Sequence, residues 1–243
     1  MLLKNSVLKN KKWFCGKAIM GLLLFCISAS SFGQETAAWA HLSYKQQVSE
    51  KWGYAADFQL RSGTSLKGIK TLLARAWASY YITDSKSVGL GYTHFGNWNK
   101  EQNRTVYNAE HRIFEEFQLK NKLGKVGLTN RLRLEQRFLD VEHKTEFSQR
   151  LRYLLGFNIP LSAVKVFNRP TSIVVQDELF LNVQNKNATN GKFFDQNRPY
   201  VGWSVLYNDH LKAEIGYYFR THIQFPNETV NMNIFQLKLS ADF

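Results

Sequence analysis

The chain has 243 residues and a formal net charge of +13; 44% of the residues are hydrophobic and 14% are aromatic. Its two cysteines, Cys15 and Cys26, both lie in the first 33 residues, so the remainder has no disulfide and no thiol chemistry. The sheet and core of that remainder must therefore hold together without covalent cross-links.

Residues 1–33 have the pattern of a secretory signal peptide, which leaves residues 34–243 as one domain. An apolar segment from Ala18 to Ser28 is too short for the ~20 residues of a spanning helix, and small residues precede Gly33. An N-terminal membrane anchor and a lipoprotein signal at Cys26 are the alternatives, although bulky Phe25 precedes Cys26. Removal of this segment lowers the net charge from +13 to +8, because its five charged residues are Lys4, Lys9, Lys11, Lys12 and Lys17.

The remaining sequence alternates between apolar and polar residues with a period of two, which predicts strands rather than helices. The alternating segments are 37–48, 54–62, 73–83, 88–97, 108–120, 130–138, 148–159, 172–182, 198–207, 211–220 and the residues after 231. We therefore predict an all-β fold, a single antiparallel transmembrane β-barrel of about 10–12 strands. These segments number eleven, whereas bacterial barrels favour even numbers, so either 161–170 adds a strand or 37–48 lies outside the wall.

The connections alternate between short and long. Residues 83–87, 121–125 and 208–210 read as short turns, and residues 97–106, 182–196 and 221–230 as long polar loops. Short turns at one rim and long loops at the other are typical of an outer-membrane barrel. A soluble periplasmic β-sandwich that serves as a binding module is the rival fold.

The segment NRLRLEQRF, residues 130–138, places charged residues on one face of a strand and mostly apolar residues on the other. Arginine facing lipid at the bilayer midplane costs roughly 2–4 kcal/mol, so a membrane barrel would turn this face inward. The same parity assigns further charges to the lumen: Asp57, Arg61, Arg75, Glu110, Arg112, Glu116, Arg131, Arg133, Glu135, Arg137, Arg150, Arg152 and Glu178.

Two functions fit such a lumen. Arginine can hold carboxylates in a packed network that fills a narrow barrel, which would make the protein structural. The excess of arginine over acid fits instead a small-solute channel that selects anions.

A third hypothesis, an enzyme acting on outer-membrane lipid, comes from the opposite face. There His94, His111 and Glu115 point outward, the two histidines as diagonal neighbours, and a histidine with a carboxylate can act as a general base. No serine shares that face, and outward Asp177 has no evident partner. No phosphate loop or metal-ligand spacing occurs, so we expect no catalytic residue, metal or other cofactor.

The last strand, NMNIFQLKLSADF, alternates and ends on Phe243. This ending resembles the signal that outer-membrane barrels present to the barrel assembly machinery. The resemblance implies that machinery as a partner, together with outer-membrane lipid and lipopolysaccharide near basic loops, and an outer-membrane location argues against nucleic acid.

The segments HRIFEEFQL, LRLEQRF and FFDQNRPYVG resemble a family of outer-membrane β-barrels of unknown function found mainly in Bacteroidetes. The residues that carry this resemblance are His111, Arg112, Arg131, Arg133, Glu135, Arg137, Phe138, Asn197 and Arg198. The resemblance covers nearly all of residues 34–243 and implies a barrel in the outer membrane. It implies no activity, ligand or catalytic residue.

Overall fold

A computed structural model describes residues 35–101, 104–141, 144–225 and 227–243, so the predicted signal peptide lies outside the described residues. Within these ranges no helix is long and apolar enough to cross a membrane. The fold is all-β, and its strands are β1 (Glu35–Gln47), β2 (Trp52–Ser62), β3 (Ile69–Tyr81), β4 (Lys86–Glu101), β5 (Arg104–Leu123), β6 (Val126–Val141), β7 (Lys144–Val166), β8 (Arg169–Gln184), β9 (Phe194–Asn197), β10 (Tyr200–Leu206), β11 (Leu211–Gln224) and β12 (Glu228–Asp242).

The strands form one closed barrel in which neighbours along the chain pair as antiparallel ladders, except β9 and β10. Strands β9 and β10 share one place in the wall, because both pair with β8 on one side and β11 on the other. The barrel therefore has 11 strand positions. It closes where β1 pairs with β12 in parallel, from Glu35 opposite Met232 to Lys45 opposite Asp242.

The prediction of an all-β barrel of 10–12 strands is confirmed, but two details of it are wrong. The wall has an odd number of positions, and consequently its first and last strands run in the same direction, so the barrel is not wholly antiparallel. Neither alternative for reaching an even number holds: residues 161–170 form the end of β7 and the start of β8, and residues 37–47 lie in β1, which is part of the wall.

Two of the three predicted long loops are largely strand. Strand β4 reaches Glu101 and β5 begins at Arg104, so most of 97–106 is paired; β11 reaches Gln224 and β12 begins at Glu228. Of the three predicted long loops, only 182–196 contains a long connection between strands, residues 185–193 between β8 and β9. The alternation fades at these hairpin tips because polar residues occupy both faces, and a sequence of that kind reads as a loop.

The two faces of the wall are inverted relative to a soluble protein. On β6, Arg133 and Glu135 are each 1% exposed, whereas Leu132 between two arginines is 46% exposed. Neighbouring residues of a strand point to opposite faces, so the orientation of one side chain determines the orientation of all the others in that strand. The charged face points into the barrel and the apolar face points out.

Glycines let large aromatic rings enter this narrow interior. A Cβ atom on Gly91 would lie 2.4 Å from the ring of Phe114, and one on Gly216 would lie 2.1 Å from the hydroxyl of Tyr200. Such distances are impossible, so each ring packs directly on the bare backbone of a neighbouring strand. Phe114 is fully buried, and Tyr200 is 3% exposed.

The parallel closure can be tested by cross-linking. Leu42 of β1 and Leu239 of β12 are register partners, and both are exposed on the outer face. Cysteines at both positions should join efficiently with a short bifunctional thiol reagent, because directly paired side chains have Cβ atoms about 5 Å apart. The joined chain should migrate differently on a denaturing gel. Cysteines at Leu42 and Leu90, on strands that are not neighbours, provide the control, and equal linking of both pairs would contradict the closure.

Candidate functional site

The charged side chains of β5 to β9, together with Arg198 just after β9, form three neighbouring groups of ion pairs inside the barrel, which we call the interior charge network. Each strand contributes alternate residues to the same face, and adjacent strands bring those residues together across the sheet. Its members are Glu110, Arg112, Glu116, Arg131, Arg133, Glu135, Arg137, Arg150, Arg152, Glu178, Asp195 and Arg198.

Two glutamates are the centres of this network. Glu135 accepts hydrogen bonds from Arg150 at 2.6 Å and from Arg152 at 2.5 Å. Glu178 accepts from Arg152 at 2.6 Å, from Arg131 at 2.7 Å and from Arg198 at 2.8 Å. Arg152 therefore bridges the two glutamates. Charge-assisted bonds of this kind are the stronger ones in proteins, and the planar guanidinium can serve two acceptors at once.

The other carboxylates have their own arginines. Glu110 accepts from Arg112 at 2.7 Å and from Arg137 at 2.6 Å. Glu116 accepts from Arg133 at 2.6 Å, and Arg150 also donates to Asp195 at 2.7 Å. Next to the network, Arg75 of β3 pairs with Asp57 of β2.

Aromatic rings pack against the guanidinium groups of the network. The guanidinium of Arg133 lies 4.1 Å from the ring centroid of Phe114. Phe180 underlies Arg198 at 4.1 Å and Arg152 at 4.5 Å. A cation over a ring face is attracted by the ring quadrupole, and the flat contact limits how the arginine can move. These rings help to fix the network in one arrangement.

The network is packed rather than bathed in water. Arg133 and Glu135 are each 1% exposed, and Arg150 is 5% exposed. Side chains that line a wide aqueous channel would have a much larger exposed fraction. Small barrels close their interior with side chains, and this part of the barrel follows that pattern.

A cavity of about 780 Å³ lies beside the network, and its far side is formed by polar residues of β1, β2, β11 and β12. Among the described residues, ten arginines are interior: Arg61, Arg75, Arg112, Arg131, Arg133, Arg137, Arg150, Arg152, Arg198 and Arg220. Eight of the ten have a carboxylate within 4.0 Å, and the two that do not are Arg61 and Arg220. Both line the cavity.

Sequence reasoning missed several interior residues. The sequence predicts a loop at Asp195, but this residue lies in the short strand β9. Arg220 falls at the boundary of a predicted loop, yet it continues the inward face of β11. Phe114 and Phe180 lie on the charged face of their strands, where an apolar residue interrupts the pattern. That interruption was the available signal for interior aromatic rings.

The outward histidines are arranged differently from the prediction. His94 and His111 are direct register partners rather than diagonal neighbours, with ring centroids 5.3 Å apart. Each also contacts a tyrosine hydroxyl: His94 Nε2 lies 2.6 Å from Tyr107 Oη, and His111 Nδ1 lies 2.5 Å from Tyr92 Oη. The geometry gives these histidines tyrosine partners.

The structure does not join the outward carboxylates to these histidines. Glu115 accepts a hydrogen bond from Gln136 at 2.9 Å, and in the described chain it forms no ion pair with either histidine. Asp177, expected to be without partners, accepts from Asn197 at 2.8 Å. No group of three His, Cys, Asp or Glu side chains among the described residues could hold a metal ion.

Phe243 ends the chain at the rim where β1 and β12 close the barrel. Its backbone N–H donates to the Lys45 carbonyl at 2.9 Å, and its carbonyl accepts from the Gln47 N–H at 2.8 Å. Its ring stacks on His210 at 4.7 Å and approaches Tyr44 at 5.8 Å. The terminal residue is therefore the last rung of the parallel closure.

Comparison with protein families gives one match, over residues 36–231, to the family described as "Protein of unknown function (DUF2490)". The match covers most of the chain and nearly all of the barrel. The chain belongs to the DUF2490 family. No curated protein matches it in sequence. Membership in DUF2490 supplies no activity, so the interior geometry must support any functional conclusion.

Proposed function

We propose that this DUF2490 protein is an integral β-barrel of the bacterial outer membrane whose interior is closed by ion-paired side chains. The observation that carries the proposal is the inverted wall, with charged residues buried inside and large apolar residues exposed outside. The role proposed for the lumen-facing charges, including Arg112, Glu116, Arg131 and Glu178, is to fill the barrel. On this proposal the protein is structural or binds a solute, and it does not act as an open pore.

The outer wall supports membrane residence. Leu90 is 59% exposed, Ile215 55% and Leu237 52%, and further exposed apolar residues occur on strands all around the barrel. Apolar surface of this extent is rare on monomeric soluble proteins, where it promotes association. Lipid is the environment in which such a wall is stable. The predicted signal peptide and the terminal Phe243 are consistent with export and insertion.

Membrane residence can be tested by fractionation. The expressed protein should separate with the outer membrane and should resist extraction by carbonate or urea. Unheated samples should migrate as a compact form on a gel, and boiling should convert them to the unfolded mobility. Recovery as a soluble periplasmic monomer would refute the proposal and would support a soluble β-barrel instead.

Closure of the interior can be tested by conductance. In a planar bilayer we expect no discrete conductance steps, because side chains of the interior charge network fill the part of the lumen that β5 to β8 enclose. A porin reconstituted in the same bilayer is the positive control. A small-solute channel is the second candidate, favoured by the cavity of about 780 Å³ and the surplus of arginine. Discrete steps with anion preference would establish that channel and contradict the closed interior.

A further inference from the structure

Three arginines that line the cavity each have a guanidinium nitrogen without a hydrogen-bond partner among the described residues. We propose that Arg61, Arg198 and Arg220 form a binding site inside the cavity for a small solute that carries an oxyanion group, either a phosphate or a carboxylate. We call these three residues the arginine site. The site lies in the barrel interior, so this proposal does not depend on where in the cell the barrel is located.

Arg61 is the least compensated charge of the site. Its Nε and Nη2 both donate to Gln59 Oε1, at 3.2 and 2.7 Å, which leaves Nη1 without a hydrogen-bond partner among the described residues. Its four strongest charge–charge interactions are all repulsive, with Arg198, Arg220, Arg112 and Arg75. Cations gathered on the wall of one cavity repel one another unless an anion joins them.

The other two arginines also have unused donors. Arg198 donates to Glu178 through Nη2, but its Nε is buried and has no partner. The Nε of Arg220 is likewise buried and unpaired, and none of its attractive neighbours lies within ion-pair distance. Buried donors are rarely left unsatisfied in native proteins, and all three arginines line the same cavity, so an acceptor is expected there.

Aromatic rings orient the site toward a compact acceptor. Arg61 lies 4.0 Å from the ring of Trp39, and Arg198 approaches the same ring at 5.9 Å. Tyr218 packs against Trp39 at 5.4 Å and lines the cavity beside them. Rigid guanidinium planes match the geometry of phosphate and carboxylate oxygens. The cavity is within the range of small-molecule sites, so the ligand can extend beyond its charged group.

The test measures the thermal midpoint of the purified protein in sodium phosphate, sodium succinate and sodium chloride at equal ionic strength. Phosphate, succinate or both should raise the midpoint above its value in chloride, and the pair of probes separates a phosphate site from a carboxylate site. Arg61→Gln should weaken the binding of the active probe about tenfold or more, because it removes a charged hydrogen-bond donor. Arg169→Gln, at the exposed start of β8 outside the cavity, should respond as the wild type does.

The thermal stability of the Arg61→Gln variant in the absence of ligand can also be predicted. In chloride, Arg61→Gln should be at least as stable as the wild type, because the substitution removes repulsion and breaks no ion pair. Arg220→Gln should also fold, because Arg220 forms no ion pair within 4.0 Å in the described structure. Equal midpoints of the wild type in all three salts would overturn the proposal. An unchanged oxyanion response in both variants would also overturn it, as would failure of both variants to fold.

Discussion

Replacing Glu135 by alanine is expected to destabilise the barrel by about 3–5 kcal/mol, the usual cost of removing one partner from a buried ion pair. Glu135 is 1% exposed and accepts from both Arg150 and Arg152. The substitution leaves two guanidinium groups with fewer acceptors, and both are almost fully buried, at 5% and 6% exposure. A loss of this size is a large part of a total stability of about 5–15 kcal/mol.

The measurement is the free energy of unfolding in urea, followed by tryptophan fluorescence of the protein in lipid vesicles. The control is Glu228→Ala, which removes an exposed carboxylate at the start of β12 that forms no ion pair in the described structure. That change should cost less than about 1 kcal/mol. Similar small effects of both substitutions would mean that water solvates the interior, and the closed barrel would have to be abandoned.

A second substitution separates loss of charge balance from loss of packing. Arg150→Met combined with Glu135→Ala removes a cation together with one of its acceptors, so Arg152 keeps Glu178 and only Asp195 loses its arginine. Replacing buried ion pairs by apolar groups of similar volume is often neutral or stabilising. We expect the double variant to recover part of the stability that Glu135→Ala loses.

The orientation of the strands could be predicted from the sequence because it depends on local alternation alone. The residues from Arg131 to Arg137 alternate so regularly that one register assigns every side chain to a face. The order of strands was also accessible, since each hairpin connects neighbours along the chain. What could not be predicted was closure, because the pairing of Glu35 with Met232 joins the two ends of the barrel. No local sequence pattern contains that information. The expected strand number therefore followed the preference of bacterial barrels for even numbers.

The candidate site was predicted only in part, for a different physical reason. The sequence showed a surplus of arginine, but ion pairing depends on distances between side chains of separate strands. Arg61 and Arg75 look equivalent in their strands, yet Arg75 meets Asp57 and Arg61 meets Gln59. Asp195 was hidden in a segment with loop composition. The unpaired arginines therefore emerge only from the three-dimensional arrangement.

The second large effect is expected at the C-terminus. Phe243 has two separable features: a backbone that closes the parallel ladder with Lys45 and Gln47, and a ring that is 52% exposed. Phe243→Ala keeps both backbone hydrogen bonds and removes only the ring. If the ring is a signal for the barrel assembly machinery, this variant should lose most of its assembled form in cells. It should still refold in vitro with nearly the wild-type yield, because the stacking on His210 lies at the exposed rim.

Deleting Phe243 should be more severe, because it also removes the two backbone hydrogen bonds of the last rung. Tyr207→Ala is a suitable control, since Tyr207 is another exposed ring at 62% exposure and lies in the turn that also holds His210. The readout is the fraction of heat-modifiable barrel in isolated outer membranes, compared with the refolding yield of the same variant in detergent. A deficit in cells combined with normal refolding identifies recognition by the assembly machinery. Equal deficits in both assays would show that the ring serves only the stability of the closure, and normal assembly of Phe243→Ala would remove the terminal residue from the assembly pathway altogether.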